Sequence, residues 1–126
     1  MSFDKILFAF VIVLALTLNF GFVAGDITVI AHHNRYELFA SLVVSLIATV
    51  MKFGDRSQLG STMLATSLVA DGQLIAAALF WTYASLDGSV LSVHDTVTVV
   101  SLALGALAAN VVSVVLLIIE TASLRR

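Results

Sequence analysis

The chain has 126 residues, 60% of them apolar and 11% charged, against roughly 45–50% and 25% in ordinary soluble domains. Six Lys and Arg with eight Asp and Glu cannot cover a soluble globule of this size with polar surface, so the natural solvent of this chain is lipid. The lack of Cys removes disulfides and thiolate metal sites, the lack of Pro removes the usual cause of helix kinks, and a formal net charge of -2 without a basic run argues against nucleic-acid binding.

Four apolar segments follow one another, residues 6–25, 36–53, 59–83 and 97–119, with lengths of 20, 18, 25 and 23. Each is close to the ~20 residues that cross a ~30 Å hydrocarbon core. Strands are disfavoured, because a barrel needs alternating polarity and Leu42 to Ile47 and Val111 to Ile119 are apolar nearly throughout. The expectation is an all-α, polytopic four-transmembrane-helix bundle forming a single domain over residues 1–126, with neither repeat nor linker.

The first segment ends in Val23-Ala24-Gly25, which resembles a signal cleavage site. Asp4 and Lys5 cancel in what would be a positive n-region, and the apolar run exceeds the usual ~7–15 residues, so a retained helix is expected. Thr17, Gly21 and Gly25 recur every four residues as a small-residue ridge for close packing, and Asn19 is an amide at membrane depth that needs a partner. The second segment carries a polar stripe, Glu37, Ser41, Ser45, Thr49 and Lys52, which lies on one helical face from end to end. As function, such a stripe is a line of hydroxyls suited to a hydrated or ion-conducting path. As structure, it is small-residue packing with Glu37 and Lys52 snorkelling to the two interfaces.

Gly54-Asp55-Arg56-Ser57 reads as a tight turn, with Gly54 ending one helix in a left-handed conformation and Asp55 or Ser57 capping the next. In the middle of the third segment stands Asp71, a carboxyl with no Lys or Arg at matching depth. Ionised there it costs ~2.5–3.5 kcal/mol on insertion scales, so it must be protonated, hydrogen-bonded or compensated by a cation. Its structural alternative is a neutral carboxyl gluing two helices. Ser67, one turn earlier, shares its face, whereas Gln73 points about 200° around the helix at ~100° per residue. One of Asp71 and Gln73 is then expected inside the bundle and the other on a neighbouring subunit, which points to a homo-oligomer; the alternative is that both bond within their own bundle.

Trp81 and Tyr83, with Tyr36, read as aromatic-belt anchors, and Asp87-Gly88 as a turn. Ser92-Val93-His94-Asp95 has capping-box spacing just before the fourth segment. There Ser101, Gly105, Ala109 and Ser113 form a second small ridge, and Asn110 is another buried amide, with either asparagine expected to meet Asp71 or Gln73. Lys5, Lys52, Arg56, Arg125 and Arg126 fall on one side and Arg35 alone on the other, which by the positive-inside rule puts both termini in the cytoplasm.

His32, His33 and His94 gather metal-ligand types on the outer rim, but adjacent histidines diverge and no His-x-x-His spacing exists, so a zinc site is a weak expectation. No Arg ladder, carbonyl-filter motif, phosphate loop or His beside Asp71 appears, so neither an enzyme nor any cofactor is expected.

The stretches Leu16 to Phe22, Tyr36 to Ala40, Lys52 to Arg56, Ala65 to Asp71 and Ala109 to Val114 resemble those of a family of short bacterial integral membrane proteins of unknown function, over nearly the whole chain. The resemblance implies a four-helix protein of the bacterial inner membrane and brings no substrate or catalytic residue. Size and helix count are also similar to small multidrug transporters and fluoride channels, but the first helix lacks a membrane carboxylate and the third lacks a Thr- and Phe-rich pattern.

Two functional readings result. In the first, a small oligomeric channel or transporter passes H+, Na+ or K+ past Asp71, with the Glu37 to Lys52 stripe supplying hydroxyls and Asn19, Gln73 and Asn110 supplying amides. In the second, a non-conducting accessory subunit docks through the same polar groups onto a larger membrane complex. An Asp71 facing a water-filled axis favours the first; a dry, fully bonded Asp71 favours the second.

Overall fold

A computed structural model describes residues 3–54 and 57–124, apart from the side chains of His32 and Leu124. Among the described residues there are four helices, α1 (Phe3–Val23), α2 (Arg35–Lys52), α3 (Gln58–Ala84) and α4 (Val93–Leu124), with one 3-10 turn, Ile30–His32, between the first two. No strand occurs among the described residues. Successive helices pack antiparallel on their chain neighbours, and α4 closes back on α1, giving an up-and-down bundle.

The ends of the helices follow local chemistry. Gly54 lies at φ +90 after α2, and the Ser57 hydroxyl accepts from Gly60 N–H at 2.9 Å, so the α2–α3 turn is built as its residues suggest; Asp55 and Arg56 lie outside the described residues. Gly88 takes φ +79, and Asp87 Oδ1 accepts from Ser89 N–H at 3.0 Å, closing the next turn. Ser92 Oγ accepts from Asp95 N–H at 3.1 Å and thereby starts α4 four residues before the predicted position 97. Gly25, expected in the first ridge, lies beyond the end of α1 with φ +100, and Thr17 is exposed, so that ridge is reduced to Gly21.

Three helices, α1, α3 and α4 up to Ser123, are long and apolar enough to cross a membrane. α2 falls outside that set because its 18 residues include Arg35, Glu37 and Lys52. Those three are the expected polar residues of the stripe or its flanks, and the remainder of the α2 surface is apolar: Phe39, Val43, Leu46, Ile47 and Val50 are exposed.

Two apolar clusters fill the bundle. One, near the α1–α2 loop, includes Phe22, Leu38, Leu74 and Val99; the other, near the α2–α3 turn, includes Phe8, Ile12, Ala48 and Met63. Between them the buried residues are polar: Asn19, Ser41, Ser45, Ser67, Asp71, Asn110 and Ser113. Burying polar groups is tolerable only where they bond one another, so this layer is where the fold is most specific.

Candidate functional site: a buried carboxyl in a line of hydroxyls

Asp71 is 4% exposed and turned from α3 onto α2. Ser45 Oγ donates to its Oδ1 at 2.6 Å, and Thr49 Oγ1 lies 2.5 Å from its Oδ2. Ser45 and Thr49 are one turn apart on the stripe, so the two arms of a single carboxyl span successive turns of α2. Ser67, buried on the same face of α3, completes the wall beside it. Both carboxyl oxygens of Asp71 are thus hydrogen-bonded, one to each hydroxyl, inside the bundle.

Thr49 Oγ1 is also 3.0 Å from Ser45 O. A hydroxyl has one proton, so two arrangements fit the same heavy atoms. Either Thr49 donates to an ionised Asp71, or a protonated Asp71 donates through Oδ2 to Thr49, which donates to the Ser45 carbonyl. The cluster can gain or lose a proton without moving a side chain.

The rest of the stripe is also turned inward. Ser41 is fully buried, and its hydroxyl has no hydrogen-bond partner among the described residues. Glu37, half-buried, lays its carboxylate on Gly21 of α1, where a Cβ would overlap it. At the other end Lys52 is buried instead of snorkelling: its Nζ stands 4.7 Å from the Phe8 ring centroid and 3.7 Å from Glu120 Oε1, tying α2 to α1 and α4.

The amides do not join Asp71, contrary to expectation. With the Asn19 amide oriented to satisfy its neighbours, its Nδ2 donates to Ala103 O, and its Oδ1 accepts from Leu107 N–H and from Asn110 Nδ2, all at 3.0 Å. Ala103 O and Leu107 N–H are the pair that a regular helix joins to each other, so α1 inserts a side chain at a backbone step of α4. Gln73 lies against Gly105 of the same chain, where a Cβ would overlap its amide. Asp71 and Gln73 do serve different surfaces, but both are α3's contacts inside its own bundle, one on α2 and one on α4. For Gln73, half-buried, this is the alternative in which both polar tips stay within their own bundle. Ser113, from the second ridge, bonds Thr66 at 2.5 Å.

The chain belongs to DUF6394, a family of unknown function. The family model matches residues 32–121. It thus takes in α2, α3 and nearly all of α4, with Asp71 and every member of the stripe, and leaves out α1 with Asn19 and Gly21. No curated protein and no solved structure gives a match.

Among the remaining expected residues, Trp81 is partly buried with its ring centroid 6.0 Å from that of Phe22, while Tyr36 and Tyr83 are exposed as belt residues would be. No cluster of three or more His, Asp or Glu that could hold a metal occurs among the described residues. His94 is exposed, the His32 side chain lies outside the described residues, and both ring nitrogens of His33 are taken by backbone carbonyls. Among the described residues, His33 and His94 therefore form no cluster. Sequence spacing held no signal for the role of His33, because its partners are main-chain atoms.

Proposed function

We propose that this membrane protein passes protons through the interior of its own bundle, with Asp71 as the relay and the Glu37, Ser41, Ser45, Thr49 and Lys52 stripe as the path. The observation that carries this is the close array of Asp71, Thr49 and Ser45 oxygens, whose distances fit two protonation states in one geometry. A Na+ or K+ path replaces the ion's hydration shell with several oxygens, often a ring of carbonyls. Here both carboxyl oxygens already face hydroxyls, so of the three cations the proton suits the site. The reading takes α2 as a fourth span, its polar face inward and its apolar face to lipid, with both termini cytoplasmic in a bacterial inner membrane. It needs no second copy of the chain.

A buried, doubly bonded carboxyl also favours the second reading, in which Asp71 is a clamp and the protein a non-conducting accessory subunit of a larger complex. Ser41 separates the two. A clamp gains nothing from a buried hydroxyl without a partner, whereas a path from Glu37 to Ser45 passes through it. In liposomes loaded with a pH-sensitive dye, the purified protein should collapse an imposed proton gradient. Asp71→Asn and Ser41→Ala should each slow that collapse at least ~10-fold, the worth of about 1.4 kcal/mol at the barrier, with Ser41→Ala leaving thermal stability unchanged. Equal leak from wild type, variants and empty liposomes would sink conduction, and co-purification of a stoichiometric foreign chain would support the accessory role.

A further inference from the structure

The loop that joins α1 to α2 is fastened at one residue. His33 is buried, its Nδ1 lies 2.7 Å from Phe22 O, and its Nε2 lies 2.9 Å from Asp26 O. Phe22 O belongs to the last turn of α1, one of the carbonyls that a helix end leaves without an intrahelical donor. Asp26 O belongs to the loop itself and also accepts from Val29 N–H at 3.1 Å. Both ring nitrogens therefore face acceptors. A neutral imidazole has one N–H and one lone pair, so it satisfies one carbonyl and turns its lone pair on the other; the imidazolium donates to both.

We infer that His33 is a proton-operated latch, which closes the α1–α2 loop onto the end of α1 when the ring is doubly protonated and loosens it when the ring is neutral. The inference goes beyond the proposed function and stands without conduction.

Among the described side chains at this end, His33 is the one whose ring lies between two carbonyls. Residues 19–25, the end of α1 and the start of the loop, include no ionisable side chain. In the loop, the Asp26 carboxylate accepts from Thr28 N–H at 2.9 Å and from Thr28 Oγ1 at 2.7 Å, within its own turn. From α2, the Arg35 guanidinium lies 5.7 Å from the Tyr36 ring centroid and the Glu37 carboxylate lies on Gly21. On α3 Tyr83 is exposed, and on α4 His94 is exposed and Asp95 half-exposed. The packed face of His33 is the Phe22 ring, with centroids 5.6 Å apart, and Phe22 in turn meets Trp81.

Trp81 is the single tryptophan of the chain and so reports on this stack. The test is amide hydrogen exchange of residues 24–34 in lipid nanodiscs, corrected for intrinsic rates, alongside Trp81 fluorescence, both as functions of pH. Wild type should lose about tenfold protection as His33 becomes neutral, one charge-assisted hydrogen bond's worth, and Trp81 emission should change over the same range. His33→Gln, with a donor on one atom only, should be loosened and flat with pH, whereas the double variant His32→Gln, His94→Gln should respond as wild type does. A flat wild type, or a response carried by His32 or His94, overturns the latch. Nitrogen-15 spectra of the wild-type imidazoles decide the matter without a variant: the protected loop must coincide with two protonated ring nitrogens on His33, and protection with a neutral ring refutes it.

Discussion

At the scale of single residues, the buried polar layer divides into groups that hold the bundle and one that does not. Asp71 accepts from or donates to two hydroxyls of α2. Asp71→Ala strands the Ser45 hydroxyl in the interior, while Thr49 keeps the Ser45 carbonyl as its acceptor, and should cost about 1–3 kcal/mol of unfolding free energy, measured by denaturant titration in detergent; Asp71→Asn, which keeps an acceptor, should cost less. Ser41 has no partner to lose, so Ser41→Ala should be neutral or slightly stabilising in the same titration. A large loss from Ser41→Ala would reveal a bond that the folded state makes elsewhere. Asp87, exposed in the α3–α4 turn, is held below the usual carboxylate range, first by the Ser89 hydroxyl and then by the Ser89 N–H. A depressed carboxyl stabilises above its ordinary titration range and loses that contribution as pH falls through its lower folded value. The turn should therefore loosen only in acid, and Ser89→Ala should move the Asp87 titration upward toward the ordinary value, as read by carboxyl carbon-13 shifts. An unmoved titration would assign the shift to another donor.

At the scale of elements, close helix contacts are set by two glycines that each receive a polar side chain. Glu37 of α2 covers Gly21 of α1, and Gln73 of α3 covers Gly105 of α4. Gly105→Ala must displace the end of a flexible side chain, so its cost should be about 1 kcal/mol, while Gly105→Leu must separate the helices and cost nearer 3 kcal/mol. Removing the obstruction with Gln73→Ala should recover much of the Gly105→Ala loss, a coupling that a double-mutant cycle in detergent measures. Additive losses would place Gln73 elsewhere. These ridges were legible as small-residue spacing, and Gly105 and Ser113 sit at the contact as expected, but what each glycine receives was not. Helical periodicity says which residues share a face; the rotation that aims Gln73 at α4 instead of at a second copy depends on how all four helices pack. The same holds for Asp71. Counting equally back from the ends of α2 and α3 sets it near Phe39, yet it meets Ser45 and Thr49, an offset along the helix pair that tertiary packing decides.

At the scale of the whole molecule, the number of crossings decides the orientation of the ends. α1, α3 and α4 qualify as spans by length and composition, whereas α2 owes its lower hydropathy to the inward-turned stripe and to exposed Arg35 at its start. A bundle that packs α2 between α1 and α3 and exposes its apolar face should carry it across the bilayer with them. Four crossings put both termini on one side, three put them on opposite sides. Reporter fusions or accessibility labels at each end should both read cytoplasmic, in keeping with Lys5, Lys52, Arg56, Arg125 and Arg126 on that side, although the last three lie outside the described residues. Opposite locations would place α2 in a re-entrant or interfacial position and remove the path from one face to the other.

Composition, hydropathy and local spacing by themselves determined the solvent, the all-helical class, the four helices and the caps at Gly54, Ser57 and Ser92, because each depends on residues within a few turns of one another. They also put Glu37 to Lys52 on one face and marked Asp71 as the one charge left in the hydrocarbon. Only the tertiary structure decided what those groups touch: Asp71 with Ser45 and Thr49, Asn19 with Asn110 and the α4 backbone, Gln73 with Gly105, His33 with two carbonyls. Those pairings join residues far apart in the chain, and the rotation and register that bring them together are set by the packing of all four helices at once, which no single spacing encodes.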